Sequence, residues 1–164
     1  MKEKIKYLIK FVIVLALAMI LTNGVVSILH ITLISGSSME PTFSDGQIVR
    51  GNKVKNINDI NRGDVIIIQN NKLNKISGEL IKRVVALPGE TITIKDGKIY
   101  INGQLYSDYD FYPITDAGIT SEGLTLKNDE FFCIGDNNAH STDCRSFGPI
   151  TFSDIRYLVE EKEK

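Results

Sequence analysis

Four polar clusters in this chain combine residue types that can do chemistry. Residues 35–42 read Ser-Gly-Ser-Ser-Met-Glu-Pro-Thr, residues 63–68 place Gly-Asp before an apolar run, residues 82–90 begin with Lys-Arg, and residues 135–145 hold Asp, Asn, His, Ser and Arg. Hydroxyl, amine and carboxylate groups of these kinds supply nucleophiles and proton carriers. Taken singly, each cluster also has an ordinary interpretation as a turn or a loop. The four clusters are therefore judged together.

The third and fourth clusters contain charged groups whose surroundings decide their role. In an extended strand, Lys82 shares a face with Val84 and Ala86. A lysine among apolar neighbours either extends its amine to solvent or sits desolvated with a lowered pKa. In the fourth cluster, an ion pair between Asp143 and Arg145 would close a turn-rich loop.

Short strands are predicted around these clusters, because apolar and polar residues alternate there. The predicted strands cover residues 30–34, 47–50, 65–69, 80–87, 91–94, 98–101, 130–134 and 156–160. Asp96-Gly97 predicts a tight hairpin, since glycine tolerates the positive φ of a type I′ turn. We expect an all-β domain over residues 31–164, made of antiparallel sheets in a coiled or barrel-like form. Residues 91–130 should form a hairpin followed by an irregular insertion.

The N-terminal segment differs from the rest in charge. Residues 1–10 carry four lysines and one glutamate, whereas residues 11–39 contain no Asp, Glu, Lys or Arg. A bilayer crossing needs about 20 apolar residues, so residues 11–30 predict one transmembrane helix. The lysines mark residues 1–10 as a cytoplasmic tail and place the β domain outside the cell. The alternative is a cleaved secretory signal, but only the short apolar run 11–15 precedes its candidate cleavage site.

The overall composition limits the classes of function. The chain has 164 residues, 43% hydrophobic and 24% charged, with a net charge of -1. The ordinary apolar content excludes an intrinsically disordered chain, and two cysteines exclude a disulfide scaffold. The faintly acidic balance offers no bulk attraction for phosphate, so we expect no nucleic acid partner. We expect no metal, because no residues have metal-ligand spacing. We also expect no other cofactor.

Together, the four clusters resemble the bacterial type I signal peptidases in their Ser-Lys form. Residues 36–42 resemble the family's Gly-x-Ser-Met-x-Pro-Thr element, and residues 63–68 its Gly-Asp-Val strand. Residues 82–89 resemble its Lys-Arg-Val-Val-x-Leu-Pro-Gly element, and residues 135–145 its Gly-Asp-Asn-x-x-x-Ser-x-Asp-x-Arg element. Four elements in order are more specific than any one alone. The resemblance implies a membrane-anchored β domain that removes signal peptides from exported preproteins.

The resemblance also implies roles for individual residues. Ser38 corresponds to the nucleophile and Lys82 to the general base, because a neutral amine can take the proton of an attacking serine hydroxyl. Ser141 corresponds to the serine that hydrogen-bonds the lysine and orients it. The backbone N–H of Ser38 is the implied oxyanion donor. The remaining supporting residues are Gly36 and Ser37 beside the nucleophile, and Asp136, Asp143 and Arg145 in the adjoining loop.

The implied substrate is an extended peptide. The family cuts outside the cytoplasmic membrane after small residues in an Ala-x-Ala arrangement, so signal peptides and the lipid bilayer are the implied partners. Such a peptide would pair with a strand edge and place alternate side chains in shallow apolar pockets. The candidate pocket residues are Ile31, Leu33, Ile34, Val84 and Ala86. Met39 and Phe43 either face the lipid surface or pack in the core.

Several alternatives stay open at this point. Cys133 and Cys144 either form a disulfide or remain free thiols. Asn138 and Glu90 depart from the residues common in the family, as does Cys144. Self-cleaving repressors share the β fold and the dyad, but they carry a DNA-binding domain in place of the predicted membrane helix. The non-enzymatic alternative is a membrane-anchored β domain that acts as a secretion or assembly factor. The sequence pattern indicates no oligomeric state.

Overall fold

The computed structural model describes residues 2–28, 30–69, 78–106, 109, 111 and 113–160. For residues 2, 3, 8, 20–28 and 30, the description covers the backbone alone. Part of the predicted irregular insertion, residues 107, 108, 110 and 112, lies outside these ranges. The chain divides into two compact units, Met1–His30 and Ile31–Lys164.

The first unit contains one long helix, α1, which spans Lys2–Ile28. Its four leucines, four lysines and two alanines favour helix, whereas its five isoleucines and four valines do so less strongly. Among the residues whose placement is described, no helix combines the length and apolar content that a membrane crossing requires. A helix is therefore present where residues 11–30 predict one, but it begins at Lys2, within the predicted tail, and ends at Ile28, while His30 belongs to a strand. Its role as a membrane span stays a prediction.

The second unit is built mainly from short strands. The described strands are β1 (His30–Leu33), β2 (Ile48–Lys53), β3 (Val65–Gln69), β4 (Glu79–Ala86), β5 (Thr91–Lys95), β6 (Lys98–Ile101), β7 (Gln104–Leu105), β8 (Leu124–Thr125), β9 (Glu130–Ile134), β10 (Ile150–Thr151) and β11 (Ile155–Val159). A four-residue helix, α2 (Cys144–Phe147), follows the polar loop after β9. Single 3₁₀ turns lie at Ile57–Asp59, Gly118–Thr120, Asn138–His140 and Phe152–Asp154.

The strands form two antiparallel sheets. The larger sheet has the order β1-β2-β11-β3-β4-β9-β10, and the smaller has the order β7-β6-β5-β8. The predicted antiparallel β domain is confirmed. The barrel-like part of the prediction is wrong for the described strands, because both sheets are open and each ends in a strand with a single neighbour.

The predicted hairpin lies in the smaller sheet. Lys95 pairs with Lys98 across the turn between β5 and β6. Asp96 and Gly97 both have positive φ, 51° and 74°. This conformation is the one that Asp-Gly favours in a two-residue turn, so the hairpin prediction is confirmed.

Apolar cores cover both faces of the larger sheet. Alternate residues of a strand face opposite sides, and β3 is apolar on both. Ile66 and Ile68 face the main core, which includes residues of the smaller sheet, while Val65 and Ile67 face a second core on the other side. Full burial of one such side chain contributes roughly 1.5–3 kcal/mol. The centre of the larger sheet, β3 and β4, is therefore a rigid support for polar groups placed on it.

Candidate active site

Lys82 lies near the middle of β4, opposite Ile66 of β3. Only 2% of its surface is exposed. Its Nζ is 2.9 Å from Ser38 Oγ and donates to the backbone carbonyl of Ile81 at 2.8 Å. Burial lowers the pKa of Lys82, and the nearby charge of Asp143 restores only part of that shift. The strand therefore holds an amine in a setting that favours its neutral form.

A neutral amine in this position can act as a base. It has two N–H bonds and one lone pair. One N–H of Lys82 donates to the Ile81 carbonyl, so the lone pair can accept the hydroxyl proton of Ser38. The structure thus brings together the two residues for which the sequence predicts nucleophile and base.

Ser38 lies in the loop between β1 and β2. Two backbone hydrogen bonds shape this loop, from Glu40 N to the Ser37 carbonyl at 3.1 Å and from Phe43 N to the Met39 carbonyl at 2.9 Å. Both apolar side chains of the loop, Met39 and Phe43, are buried in the second core. These two residues pack in the core and do not face a lipid surface. Their burial fixes the loop that presents Ser38.

Gly36 and the backbone N–H of Ser38 belong to the same loop, and together they decide whether the loop can bind a carbonyl oxygen. Gly36 has a φ of 91°, which strains any residue with a side chain, and its N–H donates to Asp45 Oδ1 at 2.8 Å. Ser37, the residue between them, is half-buried. Within the described part of the chain, the N–H of Ser38 donates to no protein group. That N–H can therefore donate to an oxygen on which negative charge develops.

The turn at residues 135–137 carries the Ser38 loop. Asn137 N donates to the Ser38 carbonyl at 3.0 Å. Thr42 Oγ1 donates to Asp136 Oδ2, which gives a second point of attachment. A Cβ added at Gly135 would lie 2.5 Å from the Ser38 carbonyl oxygen. The backbone of this turn and that of the nucleophile loop thus approach as closely as glycine allows.

Asp136 is fully buried and forms an ion pair with Arg83 of β4. Arg83 Nε lies 2.8 Å from Asp136 Oδ1, and Nη2 lies 2.7 Å from Oδ2. Arg83 Nη1 also donates to the Gly63 carbonyl at 2.6 Å, and its guanidinium lies 5.1 Å from the centre of the Phe111 ring. Sequence reasoning placed Asp136 at the turn and assigned no role to Arg83 or to Thr42. The available signal was that Arg83 follows Lys82 and so points to the opposite, buried face, where a guanidinium needs a carboxylate partner.

Asp143 and Arg145 form a second buried ion pair. Arg145 Nη2 lies 2.8 Å from Asp143 Oδ2, and Nε lies 2.9 Å from Oδ1. Asp143 Oδ2 also accepts from Gly135 N at 3.1 Å, and Arg145 Nη2 donates to the Asn138 carbonyl at 2.7 Å. These contacts close the loop of residues 135–145 and fix the turn that carries Ser38.

Ser141 does not make the hydrogen bond to Lys82 that the resemblance implies. Its hydroxyl oxygen is buried and has no hydrogen-bond partner among the described residues. It lies against Gly135, because a Cβ added at Gly135 would overlap Ser141 Oγ. The structure therefore brings Ser141 to the catalytic turn without linking it to the amine.

The candidate pocket residues divide into exposed and buried members. Ile31 and Leu33 are 63% and 62% exposed on β1, which is an edge strand of the larger sheet. Ile34 lies in the second core, and Val84 and Ala86 lie in the main core with no exposed surface. The last three side chains are covered because both faces of the larger sheet carry a core. Only Ile31 and Leu33 offer apolar surface to a peptide.

The cysteines are free thiols. Cys133 of β9 and Cys144 of α2 are both buried. Burial raises the pKa of Cys133, and the neighbouring Cys144 raises it further. No group of metal ligands is present in the described residues.

Comparison with known proteins gives consistent matches. A family model described as "Signal peptidase, peptidase S26" matches residues 4–159. Signal peptidase I V of Bacillus subtilis (strain 168) is 30% identical over 149 residues, which cover 79% of this chain and 83% of that protein. Signal peptidase I U of the same organism is 31% identical over 153 residues, 88% of this chain and 80% of that protein.

A solved structure agrees with these relatives. The crystal structure of a signal peptidase I from Enterococcus faecalis V583 matches with a TM-score of 0.51 and 26% identity, and the match covers 64% of this chain and 97% of that chain. The resemblance carried by the four sequence elements is confirmed. The chain therefore belongs to the signal peptidase family, peptidase S26, and is a serine peptidase.

Proposed function

We propose that this chain is a membrane-bound endopeptidase that removes signal peptides from exported preproteins through a Ser38–Lys82 dyad. The names of its relatives support this class of substrate. The observation that carries the proposal is the 2.9 Å contact between Lys82 Nζ and Ser38 Oγ in a buried site. A serine hydroxyl needs such a base, because it is a weak nucleophile at neutral pH.

Acylation begins when neutral Lys82 takes the hydroxyl proton of Ser38. Ser38 Oγ then bonds to the carbonyl carbon of the scissile peptide, and the oxygen of that carbonyl becomes an oxyanion near the free N–H of Ser38. The oxyanion collapses and the peptide C–N bond breaks. The proton on Lys82 passes to the leaving amine, which departs as the new N-terminus of the mature protein. The signal peptide remains as an ester on Ser38.

Deacylation uses the same two residues. Lys82, neutral again, takes a proton from a water molecule, whose oxygen attacks the ester carbonyl. Collapse of the second oxyanion breaks the bond to Ser38 Oγ, and Lys82 returns the proton to that oxygen. The signal peptide leaves with a new carboxyl terminus, and the dyad is restored.

Substrate binding is assigned to the edge of β1. Among the described strands, this one has a single neighbour and so one unpaired edge, and it exposes Ile31 and Leu33. An extended peptide can pair with a free strand edge through its backbone and place alternate side chains against the apolar surface. The preference for small residues, in an Ala-x-Ala pattern, is part of the proposal because it follows from the family resemblance.

Membrane attachment through the N-terminal segment is also part of the proposal. Residues 11–39 contain no formally charged side chain, and four lysines precede them. This pattern supports a single anchor with its N-terminus in the cytoplasm and the catalytic domain outside. The substrate, which leaves the same bilayer, would then meet Ser38 at the outer surface.

The test uses the full-length chain in detergent and a synthetic peptide that spans a signal peptide and the first residues of its mature protein. Mass spectrometry of the products should show one cut after a small residue at position -1. Ser38→Ala and Lys82→Ala should each abolish this cut. Lys127→Ala is the matched control, because its amine is exposed and pairs with Glu130, away from the dyad.

The result has clear contrary outcomes. Substantial cleavage by purified Lys82→Ala would overturn the dyad. If the wild-type chain binds the peptide and leaves it intact, the chain is a binding module of the assembly-factor kind.

Separation of membranes after expression of the full chain tests the anchor, since a carbonate-washed membrane fraction should retain it.

A further inference from the structure

Two side chains from the irregular segment after β7 lie close to the turn that supports the nucleophile. Tyr109 and Phe111 belong to this segment, whose role the sequence leaves open. The Tyr109 hydroxyl donates to the Gly135 carbonyl at 2.9 Å. The two aromatic rings contact each other edge to face, with centroids 5.0 Å apart. The phenol of Tyr109 is therefore hydrogen-bonded to the first residue of the turn at residues 135–137.

Gly135 of that turn packs directly against the backbone carbonyl of the reacting serine. Its Cα faces the Ser38 carbonyl so closely that an added Cβ would lie 2.5 Å from the carbonyl oxygen. Its N–H donates to Asp143 Oδ2 at 3.1 Å. The backbone donor of Gly135 is thus held by Asp143 and its acceptor by Tyr109. These two groups belong to the two peptide units that flank the Gly135 Cα, so loss of either contact frees one of those units.

A second contact of the same segment supports this arrangement. The Phe111 ring lies 5.1 Å from the guanidinium carbon of Arg83. Arg83 holds Asp136, the residue next to Gly135, through two hydrogen bonds. A cation over an aromatic face is stabilised by the ring's charge distribution, more so when water is absent. Tyr109 thus contacts Gly135 directly, and Phe111 contacts the arginine that binds Asp136, the next residue of the same turn.

The Tyr109 hydroxyl stays a donor over the working pH range. Burial raises its pKa, and the charges of Asp136 and Asp143 raise it further. A carbonyl can only accept, so a protonated phenol is the partner that Gly135 requires.

We propose that Tyr109 is a positioning residue for peptide cleavage, and this inference rests on the proposed Ser38 nucleophile. Among the described residues, Tyr109 has no hydrogen bond to either reacting residue. Its hydroxyl donates to the Gly135 carbonyl. Gly135 packs against the Ser38 carbonyl, and Asn137 N donates to it. The position of this carbonyl in turn fixes the loop that places Ser38 Oγ beside Lys82 Nζ. Removal of the hydroxyl should therefore lower the rate of the chemical step and leave peptide binding at β1 unchanged.

The test is steady-state cleavage of the signal-peptide substrate by full-length Tyr109→Phe. We expect kcat to fall about five- to tenfold, the effect of one lost hydrogen bond, with KM unchanged. Replacement of Tyr109 by p-aminophenylalanine keeps a donor at the same place and should restore kcat. Replacement by p-methylphenylalanine fills the volume without a donor and should resemble Tyr109→Phe. Tyr100→Phe is the matched control, since it removes a phenol hydroxyl from β6 of the smaller sheet.

The outcomes separate the inference from the function on which it rests. A wild-type kcat for Tyr109→Phe, with Ser38→Ala inactive, overturns the positioning role and leaves the dyad intact. A purely structural role would lower the melting temperature and leave kcat per folded enzyme unchanged, which also overturns the inference. If Tyr109→Phe does not fold, the p-methylphenylalanine and p-aminophenylalanine variants decide, because the inference requires their kcat values to differ. Persistent cleavage by Ser38→Ala would instead remove the proposed function.

Discussion

Arg83 and Asp136 form a two-point ion pair in which both side chains are almost completely removed from water. Nε and Nη2 of Arg83 lie 2.8 and 2.7 Å from the two carboxylate oxygens. The pair joins the centre of the larger sheet to the turn that supports Ser38. Lys82 and Arg83 are adjacent on β4, so their side chains point to opposite faces of the strand. The same strand therefore places the base on one face and, on the other, binds Asp136 of the turn that supports Ser38.

Asp136→Asn should destabilise the fold. The substitution keeps the volume and leaves the guanidinium of Arg83 buried without its countercharge. Breaking a buried pair in this way costs about 3–5 kcal/mol of unfolding free energy. Urea unfolding followed by circular dichroism measures the change. Lys127→Gln, which breaks an exposed pair, should leave the melting temperature nearly unchanged, and equal effects of the two variants would contradict a structural role for the buried pair.

Cleavage should increase with pH as Lys82 loses its proton. Burial lowers the pKa of Lys82 below 10.5, and only the neutral amine can accept the proton of Ser38. The kcat/KM profile for the peptide should therefore rise along one titration, with a midpoint below 10.5. Lys82→Arg should show no such activity, because a guanidinium stays protonated throughout. A flat profile from acidic to alkaline pH would contradict a titrating amine.

Lys82→Met should stabilise the chain, and more so at low pH. The folded pKa of Lys82 lies below its unfolded value, so between the two values the unfolded chain binds more protons and wild-type stability rises with pH. Below the folded pKa, the full cost of burying the charged amine is present. The gain in unfolding free energy for Lys82→Met should thus be largest there and shrink as the pH approaches 10.5. Denaturant titrations at several pH values measure the gain, and a pH-independent gain would show that burial does not perturb this lysine.

Gly135→Ala should impair catalysis specifically. The new Cβ would overlap Ser141 Oγ and press on the Ser38 carbonyl, so the nucleophile loop must shift. A displacement of about 1 Å can cost on the order of 100-fold in rate, and we expect a loss of that size in kcat. Gly51→Ala is the matched control, because its Cβ would lie 2.7 Å from Tyr157 Cβ. That variant should lose about 1–3 kcal/mol of stability while kcat per folded enzyme stays near wild type, and the same kcat loss in both variants would argue against a special role for Gly135.

Local patterns were sufficient to predict most of the strands. The apolar runs of β3, β4 and β9 and the Asp96-Gly97 turn carry a signal within a few residues. Three two-residue strands, β7, β8 and β10, were not predicted, because alternation is not visible over two residues. The strand order also has no local signal. The expectation of a barrel-like form failed on that order, since it depends on which distant strands pair.

Only those site residues to which the family resemblance assigns a role could be predicted from the sequence. Ser38 and Lys82 stood out by resemblance, and their contact joins residues 44 positions apart. Thr42 and Asp136 lie 94 positions apart, and nothing near Thr42 indicates its partner. Val84 and Ala86, which share a strand face with Lys82, were among the candidates for lining a pocket. Alternation identifies that face, but only the assembled sheets reveal that a core covers it.

The position of β11 has a consequence for when the peptidase can first cut. β11, residues 155–159, pairs with β2 on one side and β3 on the other. Within the larger sheet, the hairpin that flanks the Ser38 loop joins the strand that bears Lys82 only through β11 and β3. A growing chain that has not yet delivered these residues lacks the central link of the sheet. Catalytic competence should therefore arise only after residues 155–159 have been synthesised, well after the segments that bear Ser38 and Lys82, which would delay proteolysis.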